Sequence, residues 1–238
     1  MPDARARAAA AASSADPDEE LRERLVDSRV LHRGRYLTFR VDRVQRADGS
    51  IATRDVCGHP GAVAILALDD QDNVLFVHQW RHPADGVLLE IPAGTLDIDE
   101  ATGAIEDHRA AAPRELEEET GMRAAEWRLL TSFWTAPGFA TELMHLYLAT
   151  GLTPANENRR GPDEDERLRA SAVPWRVAVA MAEAGEIRDA KSLVGLLWLA
   201  RLMEHGTAGG GPTTDPQSIT VGELLAELSV DGEPAEPS

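Results

Sequence analysis

Leu37, Phe39 and Val41 are separated by polar residues, the period-two pattern of a half-buried strand. Ala47-Asp48-Gly49 then reads as a turn, and residues 51–56 as a returning strand. Beyond residue 61 the pattern changes. Residues 62–68 and 74–78 are nearly continuous apolar runs joined by a polar turn at 69–73, which predicts buried strands. Residues 88–91 form a short strand running into Pro92-Ala93-Gly94. Further strands are predicted at 127–134 and 143–149, with a late strand or turn at 173–175. Residues 176–184 read as a helix, and 190–203 as a leucine-rich amphipathic helix with Asp189 placed to cap it. Strands and helices are mixed without a regular β-α-β repeat, which argues against a doubly wound parallel sheet.

A third helix carries the chemistry. Arg114-Glu115-Leu116-Glu117-Glu118-Glu119-Thr120-Gly121-Met122 crowds four carboxylates onto the last turns before a capping glycine. A helix C-terminus is partially negative, so each acid there costs about 0.3–1 kcal/mol, and the i,i+4 pair Glu115/Glu119 adds to this. Glu115, Glu118 and Glu119 share one face, where their oxygens can converge on a hard divalent cation that offsets the repulsion. A solvated acidic face is the bland alternative. Against it stand Arg114, one turn from Glu118 and able to orient it, and Leu116, which anchors the opposite face. Proline inside a helix costs about 3 kcal/mol, so Pro113 predicts a helix that starts near residues 110–112 or kinks there. Ala110, Ala111 and Ala112 suit close packing on a sheet.

Composition narrows the partners. The 238 residues are 43% hydrophobic with a net charge of −17, which argues against nucleic acid or an anionic membrane as partner. No apolar stretch approaches the length needed to cross a bilayer. The single cysteine, Cys57, excludes an internal disulfide and fits a reducing compartment, so a cytoplasmic location is expected. Residues 1–20 read as a disordered tail, 21–57 as an N-terminal β section and 58–205 as the main domain. A Gly/Pro/Thr linker follows at 206–216, and Thr220-Val221-Gly222-Glu223 looks like a capping box for a short C-terminal helix. Arg29, Arg33, Arg35, Arg40, Arg43, Arg46 and Arg54 enclose only Asp42 and Asp48, so the β section either docks on acidic or phosphate groups or is simply solvated.

The acidic run resembles the second half of the Nudix box, the signature of Mg²⁺-dependent hydrolases of nucleoside diphosphates linked to another group. In that box a glycine precedes a glutamate by five residues, and seven more separate that glutamate from the arginine. Here Gly94 leads to Glu100, whereas Arg114 leads back to Glu106, so six residues are inserted between the halves. Gly58-His59-Pro60-Gly61-Ala62-Val63-Ala64, Gln79-Trp80-Arg81, Glu90-Ile91-Pro92-Ala93-Gly94 and Ser132–Phe139 with Pro137 are similar to the ADP-ribose pyrophosphatase branch. The resemblance implies an α/β/α sandwich with a mixed sheet, preceded by a small antiparallel β section that dimerises two copies.

It also implies the site. The expected metal ligands are the Ala93 carbonyl, Glu115, Glu119 and Glu166, holding Mg²⁺ or Mn²⁺ in its place. The expected catalytic groups are Glu164 as general base, Glu118 and Arg114. Glu164 and Glu166 lie in the acidic loop 161–168, where alternating acids leave their two roles exchangeable. Arg81 and Arg54 are expected on the diphosphate, and Glu90 either on the base or ribose or paired with an arginine. Trp134 and Phe139 are expected in the core. The implied reaction is cleavage of the pyrophosphate of ADP-ribose or a related small nucleoside diphosphate sugar, and the alternative is a Nudix-fold ligand sensor without hydrolysis.

Overall fold

A computed structural model describes residues 18–155, 161 and 167–204. The expected N-terminal tail up to residue 17, the linker at 206–216, the short helix after it, and both Glu164 and Glu166 lie outside the described residues. The chain separates into two compact units, one formed by residues up to Gly61 with Leu96–Glu106 and Trp134–Leu143, the other by the remainder.

In the first unit a single 3₁₀ turn, Glu19–Leu21, leads into an antiparallel sheet of β1 (Arg24–Arg33), β2 (Thr38–Gln45) and β3 (Ile51–Gly58), in that order. The expected turn at 47–49 closes β2 onto β3 through the Arg46 N–H on the Ser50 carbonyl at 2.9 Å. The whole of β1 escaped the period-two pattern. Its register against β2 shifts between Leu25 and Asp27 and again between Val30 and His32, so apolar residues fall in adjacent pairs rather than alternating. Its acids also neutralise the basic section: Asp27 takes Arg43 at 2.6 Å, and Glu23, one residue before the strand, takes Arg54. The six-residue insertion is a small hairpin, with Ile98 bridged to Ile105 and the Glu106 N–H on the Asp97 carbonyl at 2.8 Å.

Among its described residues the second unit holds two sheets. β4 (Ala62–Ala67) lies between β7 (Ala93–Thr95), antiparallel to it, and β9 (Leu143–Pro154), parallel to it, with β8 (Met122–Trp134) beyond β9. β5 (Asn73–Arg81) is flanked by β6 (Gly86–Glu90) and β10 (Leu168–Pro174), both antiparallel to it. Among its described residues the unit also holds three helices, α1 (His108–Thr120), α2 (Trp175–Glu183) and α3 (Ala190–Glu204). The apolar run of β4 is buried along its whole length, as its composition predicts. Leu66, Phe76, Ile91 and Leu146 join Leu196 and Leu199 of α3 in one core cluster.

α1 begins earlier than Pro113 predicts. Asp107 caps it by accepting the Arg109 N–H at 2.9 Å, so the proline sits in the second turn, on the exposed side. Its missing N–H leaves the Arg109 carbonyl without the usual i→i−4 bond, a cost carried by packing on the other face, where Ala111, Ala112 and Leu116 are fully buried. Gly121, at φ 71°, ends the helix with its N–H on the Glu117 carbonyl at 2.9 Å. Trp134 and Phe139, expected in the core, are exposed instead: Trp134 is the last residue of β8 and Phe139 lies in the connection to β9.

Candidate active site

The buried face of α1 is chemically mixed. Ala111, Ala112 and Leu116 face inward, and so do Glu115 and Glu119, only 8% and 7% exposed. Two carboxylates one turn apart, withdrawn from water near a helix C-terminus, are costly unless charge or hydrogen bonds offset them. Neighbouring groups provide part of this. Arg114 Nη1 lies 2.8 Å from Glu115 Oε1 and 2.9 Å from Glu118 Oε2. The Ala93 N–H donates to Glu119 Oε2 at 2.9 Å, joining β7 to the helix. Gly94 is where that approach is closest: a Cβ there would overlap the Glu115 carboxylate. Only a residue without a side chain admits the acid to this position.

These residues suit a hard cation. The donors are all oxygen, two of them are anionic and buried, and Gly94 leaves room for the Glu115 carboxylate where a side chain would fill it. Among the described residues no three His, Cys, Asp or Glu side chains already meet in a closed cage. Glu118 is half-buried and drawn toward Arg114, and Glu166 is outside the described residues.

A second charged group borders the first. Arg81, the last residue of β5, grips Glu90 of β6 with Nε at 2.8 Å and Nη2 at 2.7 Å. Glu90 is 1% exposed and also takes the Lys191 ammonium of α3, so its carboxylate pairs with an arginine, one of its two expected roles, within an internal ion network. Burial works to raise the Glu90 carboxyl, but Arg81 and Lys191 together hold it below its ordinary value. The Glu90 hydrogen bonds hold Arg81 charged against its own burial, and the carboxylates of Glu119 and Asp189 add to this, so the guanidinium lies in the field of the acidic helix. Arg54 belongs to the first unit, where its Nε donates to Glu23 at 3.0 Å.

Two arrangements here were not anticipated from sequence. Lys191 and Ser192 connect α3 to the segment 90–94; Ser192 Oγ accepts the Ile91 N–H at 2.9 Å, while Asp189, as its position predicts, caps the helix by accepting the Ser192 N–H at 3.0 Å. The signal was present in Asp189-Ala190-Lys191-Ser192, but a buried lysine cannot be told from an exposed one without its strand partners. At the N-terminal end of α1, His108 stacks on His145 with ring centroids 4.0 Å apart, and their Nδ1 atoms meet Tyr147 and Ser132.

Comparison with known proteins agrees with this geometry. Residues 58–194 match the NUDIX domain, and residues 23–56 match the nucleoside diphosphate sugar hydrolase N-terminal domain. The chain belongs to the Nudix family. It is 35% identical to an ADP-ribose pyrophosphatase of Bacillus subtilis (strain 168), over 76% of this chain and 94% of that protein. It is 38% identical to an ADP-ribose pyrophosphatase of Mycobacterium tuberculosis, over 72% and 80%, and 36% identical to a methanol dehydrogenase activator of Bacillus methanolicus, over 74% and 92%. A crystal structure of an ADP compounds hydrolase shares the fold at a TM-score of 0.65 and 20% identity, over 77% of this chain and 95% of that one.

Proposed function

We propose that this chain hydrolyses the pyrophosphate of ADP-ribose, yielding AMP and ribose 5-phosphate, with related nucleoside diphosphate sugars as its wider substrate class. One observation carries this reading: Glu115 and Glu119 are buried side by side on α1, Glu115 against Gly94 and Glu119 on the Ala93 N–H. A purely structural helix face would place apolar residues there. Relatives named ADP-ribose pyrophosphatase support the choice of substrate, and others named GDP-mannose pyrophosphatase set its breadth.

Glu115, Glu119 and the Ala93 carbonyl would hold Mg²⁺, or Mn²⁺ in its place, with Glu118 and Glu166 completing the set. Such an ion, when bound, neutralises phosphate charge and eases deprotonation of water. Glu164 takes the proton from the attacking water. The water oxygen bonds to one phosphorus, the bridging P–O bond breaks, and the second phosphate leaves. Arg81 holds the diphosphate, and Arg114 orients Glu118. Glu164→Gln is expected to slow turnover with little loss of cation affinity; the opposite result exchanges the roles of Glu164 and Glu166.

The protein is proposed to be a cytoplasmic homodimer, with residues 21–57 as the dimerising section and 58–205 as the hydrolase domain. Among the described residues β1 is an edge strand, exposed at all ten positions, and such an edge suits a partner strand. Among the described residues no helix is long and apolar enough to cross a membrane. Incubation with ADP-ribose, GDP-mannose and a dinucleotide in Mg²⁺, followed by product analysis, tests the reading. Preference for ADP-ribose supports it, preference for another substrate relocates it within the class, and tight ADP-ribose binding without turnover of any substrate replaces it by the sensor.

A further inference from the structure

The ion network behind Arg81 is built from four charges. Arg81 and Lys191 share the buried carboxylate of Glu90; Lys191 Nζ is also 3.0 Å from Asp189 Oδ1, and Asp189 Oδ2 takes the N–H and hydroxyl of Ser192 at 3.0 and 2.6 Å. Lys191 is only 8% exposed. A buried ion network is a poor source of stability, because desolvation consumes most of the Coulombic gain and apolar residues of like volume serve as well or better. The arrangement has a different consequence at its open end. Arg81 alone on Glu90 would form a closed neutral pair, its fork turned wholly inward. With Lys191 on the same Glu90 oxygen that Arg81 Nη2 contacts, the anion is divided between two cations, and Arg81, 38% exposed in its side chain, is only partly neutralised by Glu90.

We propose that Lys191 is a positioning residue for substrate: by sharing Glu90 with Arg81, it leaves the Arg81 guanidinium less fully neutralised by Glu90 and so available to an incoming diphosphate. This rests on the proposed hydrolysis and on Arg81 as the diphosphate contact. Asp189 acts in the opposite sense, drawing Lys191 away from Glu90 and toward the start of α3.

Steady-state kinetics with ADP-ribose and Mg²⁺ on Lys191→Gln, Arg81→Gln and the double variant provide the test. Lys191→Gln is expected to raise KM about tenfold with kcat changed less than about threefold, and to change KM less than about twofold once Arg81 is already glutamine. Asp189→Asn keeps the helix cap and the fold, and is expected to lower KM by about twofold to threefold; it decides the matter if Lys191→Gln does not fold. KM effects that add in the double variant, a fall in kcat at constant KM, or an unchanged or raised KM in Asp189→Asn each overturn the role of Lys191 alone. Absence of turnover in the wild-type protein overturns the hydrolase reading instead, and this inference with it.

Discussion

The Ala93 N–H donates to Glu119 Oε2 at 2.9 Å, so the strand that should offer a carbonyl to a cation is fastened to the helix that should offer carboxylates. Glutamine keeps an acceptor oxygen at this position but removes the charge. Glu119→Gln should therefore unfold within about 1 kcal/mol of the wild type while its turnover falls by orders of magnitude. Glu119→Ala should lose both. Urea denaturation alongside initial rates distinguishes them; near-normal Mg²⁺-dependent turnover in the glutamine variant would remove Glu119 from the site.

Gly94→Ala introduces a Cβ into space held by the Glu115 carboxylate. The helix is fixed by Leu116 and its alanines, so the acid must rotate away. Turnover should drop at least about a hundredfold, since a misplaced catalytic group of roughly 1 Å has that effect. The same substitution at Gly49, with nothing near its Cβ but a φ of 82°, should cost stability and leave turnover unchanged.

Pro113→Ala should stabilise the protein. The proline is exposed inside α1, and replacing it restores an N–H for the Arg109 carbonyl. A gain of up to about 3 kcal/mol in urea unfolding is expected, with turnover unaffected. A loss of stability would mean that the proline fixes the helix start.

Much of this was legible in the chain before the structure. The apolar run that became β4 is a fully buried strand because no polar residue interrupts it, β5 follows from the shorter run 74–77, and the α1 acids declared themselves by their spacing. β1 was not legible, because two register shifts erase its period. The full set of partners of Glu90 was not legible either. Its pairing with an arginine was one of the two expected readings and is met by Arg81, but its other partner, Lys191, lies about a hundred residues along the chain, and no local pattern reports so distant a contact. The exposure of Trp134 and Phe139 likewise follows from chain placement rather than residue type.

Acid should destabilise the fold through the histidine stack. Burial first, then the neighbouring His108, push His145 down from 6.5 to about 4, with Asp107 opposing weakly; burial lowers His108 as well. Both rings prefer to be neutral when folded, so the unfolded chain binds more protons in this range. Their contribution is complete above pH 6.5 and is lost as pH falls toward about 4. His145→Asn, which can still meet Ser132, should flatten the fall of the unfolding midpoint across that window. An unchanged slope would assign the acid sensitivity elsewhere.

The central claim is that the buried acids of α1 make a cation-dependent pyrophosphate hydrolase. Its most direct measurement is the product yield from ADP-ribose with Mg²⁺, with Mg²⁺ plus excess chelator, and with Glu115→Gln. AMP and ribose 5-phosphate should appear in equal amounts in the first case and be nearly absent in the other two. Equal product with and without chelator, or undiminished product from Glu115→Gln, would contradict the account.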